Sequence, residues 1–312
     1  MRLLRPHNLA LLLIALLAQA AFGQSFDLPG DGEAKAKVEL LVADTTVQPG
    51  QTVAVGVKFT MQPGWHIYWH NPGDSGEPPT FAWNLPGGGA ARMMRGGEWT
   101  ATEPQFPTPI TFESSGLVGF GYKDTVIFPA TVTVPATATP GQAVELAIAT
   151  NYLICEEVCI PEQAVATASI EVSTQGEHDD DATDAIALAE RQLPVPGSAT
   201  PHVKAVNQAG DDDARTITVD FARAVENVEF FPDPPRGLAV EDVSVDVAGN
   251  TATVRFTTRT LSGATVNASE FPAVVGYTAD GVRVGVRMNV PTQNEAHDEA
   301  GEAESANKSS NK

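Results

Sequence analysis

The chain is 312 residues long and carries 19 lysines and arginines against 39 aspartates and glutamates, a formal net charge of −20 at pH 7. Nucleic acids and anionic lipid surfaces attract positive charge, so this balance argues against either as a binding partner. A chain of this length suits two domains of common size better than one.

The first 23 residues have the pattern of a secretory signal peptide. Arg2 and Arg5 precede an apolar run at positions 9–17, and small residues follow, with cleavage expected after Ala20 or Gly23. The apolar run is far shorter than the roughly 20 residues that a membrane-spanning helix needs. Removal of the two arginines changes the charge to 17 − 39, or −22. We therefore predict an exported chain with no membrane span, in a compartment where disulfides persist.

The rest of the chain is predicted to contain two domains joined by a linker. A polar, acidic stretch begins at Gln175, and a helical pattern follows from Thr183 to Leu193, where Pro194 and Pro196 end it. The last residues contain no large apolar side chain, which is typical of a disordered tail. The predicted segments are a signal peptide at 1–23, a first domain at 24–176, an acidic, partly helical linker at 177–198, a second domain at 199–293 and a tail at 294–312.

Short runs rich in valine, isoleucine and threonine recur through both domains, and Pro-Gly pairs at 49–50, 63–64 and 140–141 separate several of them. Such runs without long helices between them indicate an all-β fold, with an immunoglobulin-like antiparallel β-sandwich followed by a second β-rich domain. The predicted strands lie at 38–42, 52–60, 125–134, 144–149 and 166–172 in the first domain, and at 215–221, 228–231, 243–247, 251–258 and 282–290 in the second.

Aromatic and histidine residues cluster at positions 65–70, and strand alternation divides them between two faces. The face predicted to meet the core holds Trp65, Ile67 and Trp69, and the opposite face holds His66, Tyr68 and His70. Imidazole and thioether groups suit Cu(I), so a copper site formed by His66, His70, Met93 and Met94 is one alternative. The two methionines suit a hydrophobic core equally well. We expect neither a metal nor a cofactor.

The chain contains two cysteines, Cys155 and Cys159, separated by Glu156, Glu157 and Val158. A disulfide that closes so small a loop stabilises a fold by about 2 kcal/mol, against nearly 5 for a 100-residue loop, so the spacing favours a chemical role. Residues four apart on a straight strand lie about 13 Å from each other, whereas a disulfide needs Cα atoms within roughly 7 Å. The chain must therefore turn between the cysteines, in a hairpin or a single helical turn. An inert disulfide and metal ligation, which would need further ligands, stay open as alternatives.

Two longer segments carry a family pattern. Residues 63–79 read Pro-Gly-Trp-His-Ile-Tyr-Trp-His-Asn-Pro-Gly-Asp-Ser-Gly-Glu-Pro-Pro, and residues 151–161 read Asn-Tyr-Leu-Ile-Cys-Glu-Glu-Val-Cys-Ile-Pro. They resemble the N-terminal periplasmic domain of the DsbD family of thiol:disulfide interchange proteins, and most of all its ScsB-like branch. Residues 85–88, which read Leu-Pro-Gly-Gly, and residues 119–122, which read Gly-Phe-Gly-Tyr, also resemble short elements of that branch. The resemblance covers roughly residues 35–175 and extends more loosely to 230–232.

The resemblance implies an immunoglobulin-like sandwich in which the cysteine pair relays electrons. In that family the electrons come from a membrane-embedded thiol transporter by way of a thioredoxin-like domain, and pass to periplasmic proteins with oxidised cysteines. For this chain it implies Cys155 and Cys159 as catalytic residues, a periplasmic location, a protein-disulfide reductase-like activity, and a link to cytochrome c biogenesis or copper tolerance. The sequence contains no Cys-x-x-Cys motif and no predicted membrane segment, so we expect the electron donor to be a separate protein.

The residues beside the cysteines are interpreted within this relay. Neighbouring carboxylates raise a thiol pKa and slow its attack, so Glu156 and Glu157 are predicted to modulate the pair, and solvated glutamates without a role are the alternative. We expect Cys155 to bond to partners, because Cys159, followed by Ile160 and a proline, is predicted to be more enclosed.

Two hypotheses about function follow. The first is a thiol–disulfide exchange module that works through Cys155 and Cys159. The alternative is a non-catalytic β-sandwich binding protein, related to metal handling or envelope stress, whose disulfide only holds a hairpin.

Overall fold

The computed structural model describes residues 34–86, 98–114, 116–210 and 214–292. The predicted signal peptide, the tail at 294–312, and Met93 and Met94 of the alternative copper site lie outside these residues. Within them the chain forms β-strands and a single α-helix, which confirms the all-β prediction. No helix in these four ranges has the length and apolar composition needed to span a bilayer.

In the part of the chain that the structure describes, the first sandwich has twelve strands in two sheets. One sheet has the order β1-β3-β9-β6, and the other has the order β12-β2-β11-β10-β4-β8-β7, with β5 also paired to β10. The strands are β1 (Ala36–Val42), β2 (Asp44–Val47), β3 (Thr52–Met61), β4 (His66–Gly73), β5 (Thr80–Asn84), β6 (Thr100–Ala101), β7 (Ile110–Ser114), β8 (Leu117–Lys123), β9 (Thr125–Thr133), β10 (Ala143–Cys155), β11 (Cys159–Val172) and β12 (Glu177–His178).

The core of this sandwich follows from strand alternation. Along β3, Val53, Val57 and Phe59 are at most 1% exposed, because every second side chain of a strand points to the same face. They share one buried cluster with Ile67 and Trp69 of β4, in the opposite sheet. The predicted core face of the 65–70 segment is therefore confirmed.

The single helix, α1, runs from Asp180 to Arg191, and so begins before the helical pattern read from the sequence. Asp179 caps it by accepting a hydrogen bond from the backbone N–H of Ala182. Ala182, Ile186 and Ala189 are buried on one face, at helical spacing. Ile186 lies against Gly56 of β3, where an added Cβ would fall 3.2 Å from its side chain. Thus α1 covers the outer face of the first sandwich.

The second sandwich contains the remaining strands, again in two sheets, with orders β13-β20-β19-β16 and β14-β15-β18-β17. Val219 and Val254 of one sheet pack against Phe271 and Tyr277 of the other in a separate buried cluster. The strands are β13 (Val195–Pro196), β14 (Val203–Gly210), β15 (Ala214–Phe221), β16 (Glu226–Pro232), β17 (Leu238–Ala248), β18 (Thr251–Thr260), β19 (Glu270–Ala279) and β20 (Val282–Pro291).

The two sandwiches contact each other through β4 and β16. The Asn71 side chain donates a hydrogen bond to the carbonyl oxygen of Pro232 at 2.6 Å. Phe231, which is fully buried, packs with the first core, and its ring centroid lies 6.0 Å from that of Trp69. The second sandwich therefore sits next to β4, the strand that contains residues 66–70.

Candidate functional site

The two cysteines lie at the neck of a long β-hairpin. Strands β10 and β11 pair in an unbroken antiparallel register from Ala143 opposite Glu171 to Cys155 opposite Cys159. The cysteines form a disulfide, with their Cα atoms 4.1 Å apart, and residues 156–158 make the turn. Of the two geometries that the spacing allowed, the structure has the hairpin.

The two cysteines differ in their exposure to solvent. Cys155 is only 2% exposed, whereas Cys159 is exposed. At this end of the hairpin β10 has a second neighbour, because Cys155 also pairs with His66 of β4. Among the described residues, β11 has a second neighbour only at its far end, where Glu171 and Val172 pair with β2. The expectation that Cys159 is the more enclosed cysteine is therefore wrong, since the adjacent strand and not the adjacent residues in the chain decides the burial.

Cys155 is covered by aromatic side chains from β4 and β7. It forms a small buried cluster with Tyr68 and Phe112. The Tyr68 hydroxyl donates a hydrogen bond to Sγ of Cys155 at 3.2 Å and lies 3.6 Å from Sγ of Cys159. Burial raises the pKa of Tyr68, so this hydroxyl keeps its proton at neutral pH and remains a donor.

His66 completes this cover. Its ring centroid lies 4.1 Å from that of Phe112 and 5.4 Å from that of Tyr68. Burial lowers the pKa of His66 to about 4, and the positive charge of Lys123 adds to the shift, so the imidazole is neutral at neutral pH. Its Nε2 atom is buried and has no hydrogen-bond partner among the described residues. The side chains that cover Cys155 are thus apolar apart from the Tyr68 hydroxyl and a neutral imidazole, and the Lys123 ammonium lies beyond them, 5.4 Å from the Phe112 ring centroid.

The turn itself presents both charge and apolar surface to solvent. Glu156 and Glu157 are exposed. The Glu156 carboxylate lies against the turn before β4, where a Cβ on Gly64 would fall 2.6 Å from its Oε1 atom. Val158 is 71% exposed and Ile160 37%, on either side of Cys159. Sequence reasoning used Ile160 only to predict that Cys159 is enclosed and assigned no role to Val158, although a valine between two glutamates and a cysteine is a signal of an exposed apolar contact.

The two histidines of the alternative copper site have different surroundings. His66 lies in the cover of Cys155, whereas Nδ1 of His70 lies 3.4 Å from a carboxylate oxygen of Asp233 in the second sandwich. Within the four described ranges, no group of three or more histidine, cysteine, aspartate or glutamate side chains is arranged to hold a metal ion.

Comparisons with known proteins relate this site to one family. The model of the family described as "Thiol:disulfide interchange protein DsbD, N-terminal" matches residues 37–170, which include both cysteines, the hairpin and the strands that cover Cys155. No curated protein sequence matches the chain.

Solved structures extend the comparison beyond those residues. The N-terminal periplasmic domain of ScsB from Proteus mirabilis has a TM-score of 0.59 and 18% sequence identity, over 86% of this chain and 97% of that one. Residues 37–170 are less than half of this chain, so the similarity in fold includes the second sandwich. A titin I-band fragment, I67–I69, matches with a TM-score of 0.20 and 10% identity over 83% of this chain and 66% of its own, a level that supports no argument.

Proposed function

Residues 37–170 form a DsbD N-terminal-like domain, and from this we propose that the protein is a thiol–disulfide exchange module of the periplasm. It would pass electrons through Cys155 and Cys159 from a thioredoxin-like donor, or from a membrane thiol transporter acting through one, to oxidised periplasmic proteins. The observation that carries the proposal is the difference between the two cysteines, one an exposed residue and the other a buried residue whose sulfur accepts a hydrogen bond from a hydroxyl. Exchange needs an accessible sulfur for attack and a stabilised leaving sulfur, whereas an inert staple needs neither.

The exchange would proceed in two steps. A donor thiolate attacks Sγ of Cys159, so that a bond between the donor and Cys159 forms while the Cys155–Cys159 bond breaks. The electron pair of the broken bond stays on Sγ of Cys155, toward which the Tyr68 hydroxyl points. The second donor thiolate then attacks the donor's own sulfur in the mixed disulfide, which closes the donor disulfide and releases Cys159.

The balance of this reaction is simple. Two electrons move from the donor dithiol to the cysteine pair, and the two protons that the donor thiols lose are matched by two that Cys155 and Cys159 gain from solvent. Transfer to an oxidised acceptor protein repeats the same steps in reverse, with Cys159 as the attacking thiolate.

The surface around Cys159 suggests the chemistry of a docking partner. Val158 and Ile160 offer apolar contact, and Glu156 and Glu157 would favour a partner with basic groups beside its own cysteines. Apolar contacts next to a reactive sulfur allow exchange to depend on docking and not on chance encounter.

A trapping experiment tests the proposal. Cys155→Ser protein with Cys159 activated as an aryl mixed disulfide is mixed with a reduced thioredoxin-like protein that lacks its resolving cysteine. The matched control is Cys159→Ser protein activated at Cys155. We expect a covalent complex through Cys159 and much less of it through Cys155, because Cys155 is buried. If neither variant forms a complex, and the intact thioredoxin-like protein does not reduce the wild-type disulfide, the binding protein with an inert disulfide becomes the better account.

A further inference from the structure

Residues 107–111, hereafter the strap, comprise the three residues before β7 and its first two residues, and they contact both sandwiches. On the side of the first sandwich, the Tyr122 hydroxyl donates a hydrogen bond to the carbonyl oxygen of Pro107 at 2.7 Å. Thr108 is only 4% exposed, and both its backbone N–H and its hydroxyl donate to the carbonyl oxygen of Gln192, at 2.9 and 2.8 Å. The strap is therefore buried at residues 107–109, exposed at Thr111, and held at its first two residues by these hydrogen bonds.

The second sandwich holds the other end of the strap through an ion pair. Nε of Arg283 donates to the carbonyl oxygen of Pro109 at 3.0 Å, and the backbone N–H of Thr111 donates to Oε1 of Glu229 at 2.9 Å. Arg283 and Glu229 also bond to each other, and their side chains are only 13% and 27% exposed. Because hydrogen bonds to ionised groups in sheltered positions are the stronger ones, this pair fixes the backbone at both ends of Ile110.

A pair of glycines makes room for the strap. Gly276 of β19 and Gly285 of β20 lie directly opposite each other in the sheet register. A Cβ atom on Gly285 would fall 2.6 Å from Oγ1 of Thr108, and one on Gly276 would fall 2.9 Å from its Cγ2 atom. Glycine within a strand weakens the sheet and often marks a close approach by another segment. Gly276 and Gly285 thus form a depression, hereafter the glycine seat, that Thr108 occupies. Any larger residue at either position would obstruct it.

The strap leads directly to the residue that covers the buried sulfur. Phe112 follows Thr111, and its side chain packs with Tyr68 over Cys155. The β7–β8 hairpin carries Phe112 on the face that meets the cysteine, while Thr111 lies on the opposite face and is bonded to the second sandwich. A change in the position of the strap would therefore be transmitted to the Phe112 ring over a single residue.

From these contacts we infer that the second sandwich controls access to the buried cysteine. Glu229, Arg283 and the glycine seat hold the strap so that Phe112 stays over Cys155, and they set how fast this sulfur reacts once the disulfide has opened. Glu229 and Arg283 are positioning residues, since they act through Phe112. The inference deepens the proposed function by assigning a role to the second sandwich, but its test uses a small alkylating agent and needs no protein partner.

The test compares the two cysteines in reduced full-length chains. In a Cys159→Ser background the thiol of Cys155 is the single target for iodoacetamide, and in a Cys155→Ser background the thiol of Cys159 is. Adding Arg283→Met should raise the alkylation rate of Cys155 roughly tenfold, because the hydrogen bonds that close the cover are lost, and should change the rate of Cys159 less than about twofold. Arg283→Lys, which keeps the charge but loses the planar fork, should give an intermediate rate.

The matched control is Arg255→Met, which removes the Arg255–Asp246 pair from the other sheet of the same sandwich. It should leave both alkylation rates unchanged. The alkylation rates are measured at a pH where the thiols are fully ionised, so that a change in thiol pKa is not mistaken for a change in access. In the Arg283→Met protein, hydrogen exchange should increase at the amides of β7 and β8 alone. An unchanged rate at Cys155 in folded Arg283→Met protein overturns the inference. So does an equal gain at both cysteines, or the same gain in the Arg255→Met control.

Discussion

The hydroxyl of Tyr68 donates a hydrogen bond to Sγ of Cys155 over 3.2 Å, in a position where little else is polar. A disulfide sulfur is a weak acceptor, so this bond contributes little to the oxidised form. A thiolate is a much stronger acceptor, and a hydrogen bond to an ionised group is worth about 1.5–3 kcal/mol. The contact therefore favours the state in which Cys155 has just become the leaving sulfur.

The first prediction concerns this hydroxyl. In reduced protein that carries Cys159→Ser, the change Tyr68→Phe should raise the pKa of the Cys155 thiol by about one unit or more, since one pKa unit corresponds to about 1.4 kcal/mol. The pH dependence of iodoacetamide alkylation measures that pKa. Tyr277→Phe is the control, because Tyr277 is a buried tyrosine of the second sandwich whose hydroxyl lies 3.4 Å from that of Thr200. Equal thiol pKa values in the two variants would show that the Tyr68 hydroxyl has no part in stabilising the thiolate.

The second prediction concerns the stability that the disulfide provides. The double change Cys155→Ser, Cys159→Ser should lower the free energy of unfolding by only about 2 kcal/mol, because the closed loop is so short. Urea denaturation measures this loss, and wild-type protein reduced with dithiothreitol should show a similar one. A double variant that is already unfolded without urea would instead support the disulfide as a structural staple.

Local patterns in the sequence predicted much of the fold. The alternating run at 52–60 corresponds to β3, and the run at 251–258 to β18, because in each a fully buried face alternates with one that is mostly less buried. Strand β19 was missed, although Phe271 and residues 273–277 are all buried. Pro272 and Gly276 interrupt its apolar run, and both residue types ordinarily indicate turns. A Cβ at Gly276 would fall within 2.9 Å of the side chains of Arg283, Phe231 and Thr108, and these contacts are not visible in any local pattern.

The candidate site was only half predictable for the same reason. The spacing of the two cysteines predicted a turn between them, and the structure has this turn at the end of the β10–β11 hairpin. The burial of Cys155 depends on His66 and Phe112, which are distant in the chain and come from strands on the other side of β10. The chain neighbours of Cys159 include Ile160, and their apolar character indicated enclosure, yet they lie at the exposed end of β11. Contacts between distant segments decide which sulfur a partner can reach.

The third prediction concerns the charge at the turn. The double change Glu156→Gln, Glu157→Gln should speed the reaction of the reduced pair with small disulfides about two- to fivefold at low salt, because each exposed charge pair contributes roughly 0.2–1 kcal/mol. The gain should shrink at 1 M salt, where the Debye length falls to about 3 Å. Glu145→Gln, Glu171→Gln at the opposite end of the same hairpin is the control, with the same change in net charge. A gain that survives high salt, or that the control reproduces, contradicts a local electrostatic effect.

The last prediction concerns the pH dependence of stability. Burial, together with the charge of Lys123, lowers the pKa of His66 to about 4 in the folded protein, against about 6.5 in an unfolded chain. Between these values the unfolded chain binds a proton that the folded protein does not, so this group lowers the free energy of unfolding as the pH falls from 6.5 toward 4. The loss should reach about 3 kcal/mol at pH 4 and vanish above pH 7.

A comparison with His66→Phe isolates this term from the titration of the many carboxylates. The free energy of unfolding of wild-type protein, measured with urea at each pH, should fall relative to that of the variant by about 3 kcal/mol between pH 7 and pH 4. His202→Phe, a change at a half-buried histidine beside Tyr277, corrects for the general effect of replacing an imidazole by a phenyl ring. If wild type and His66→Phe give parallel curves across this range, the imidazole beside Cys155 is not held neutral by burial. The apolar environment inferred for the leaving sulfur would then have to be revised.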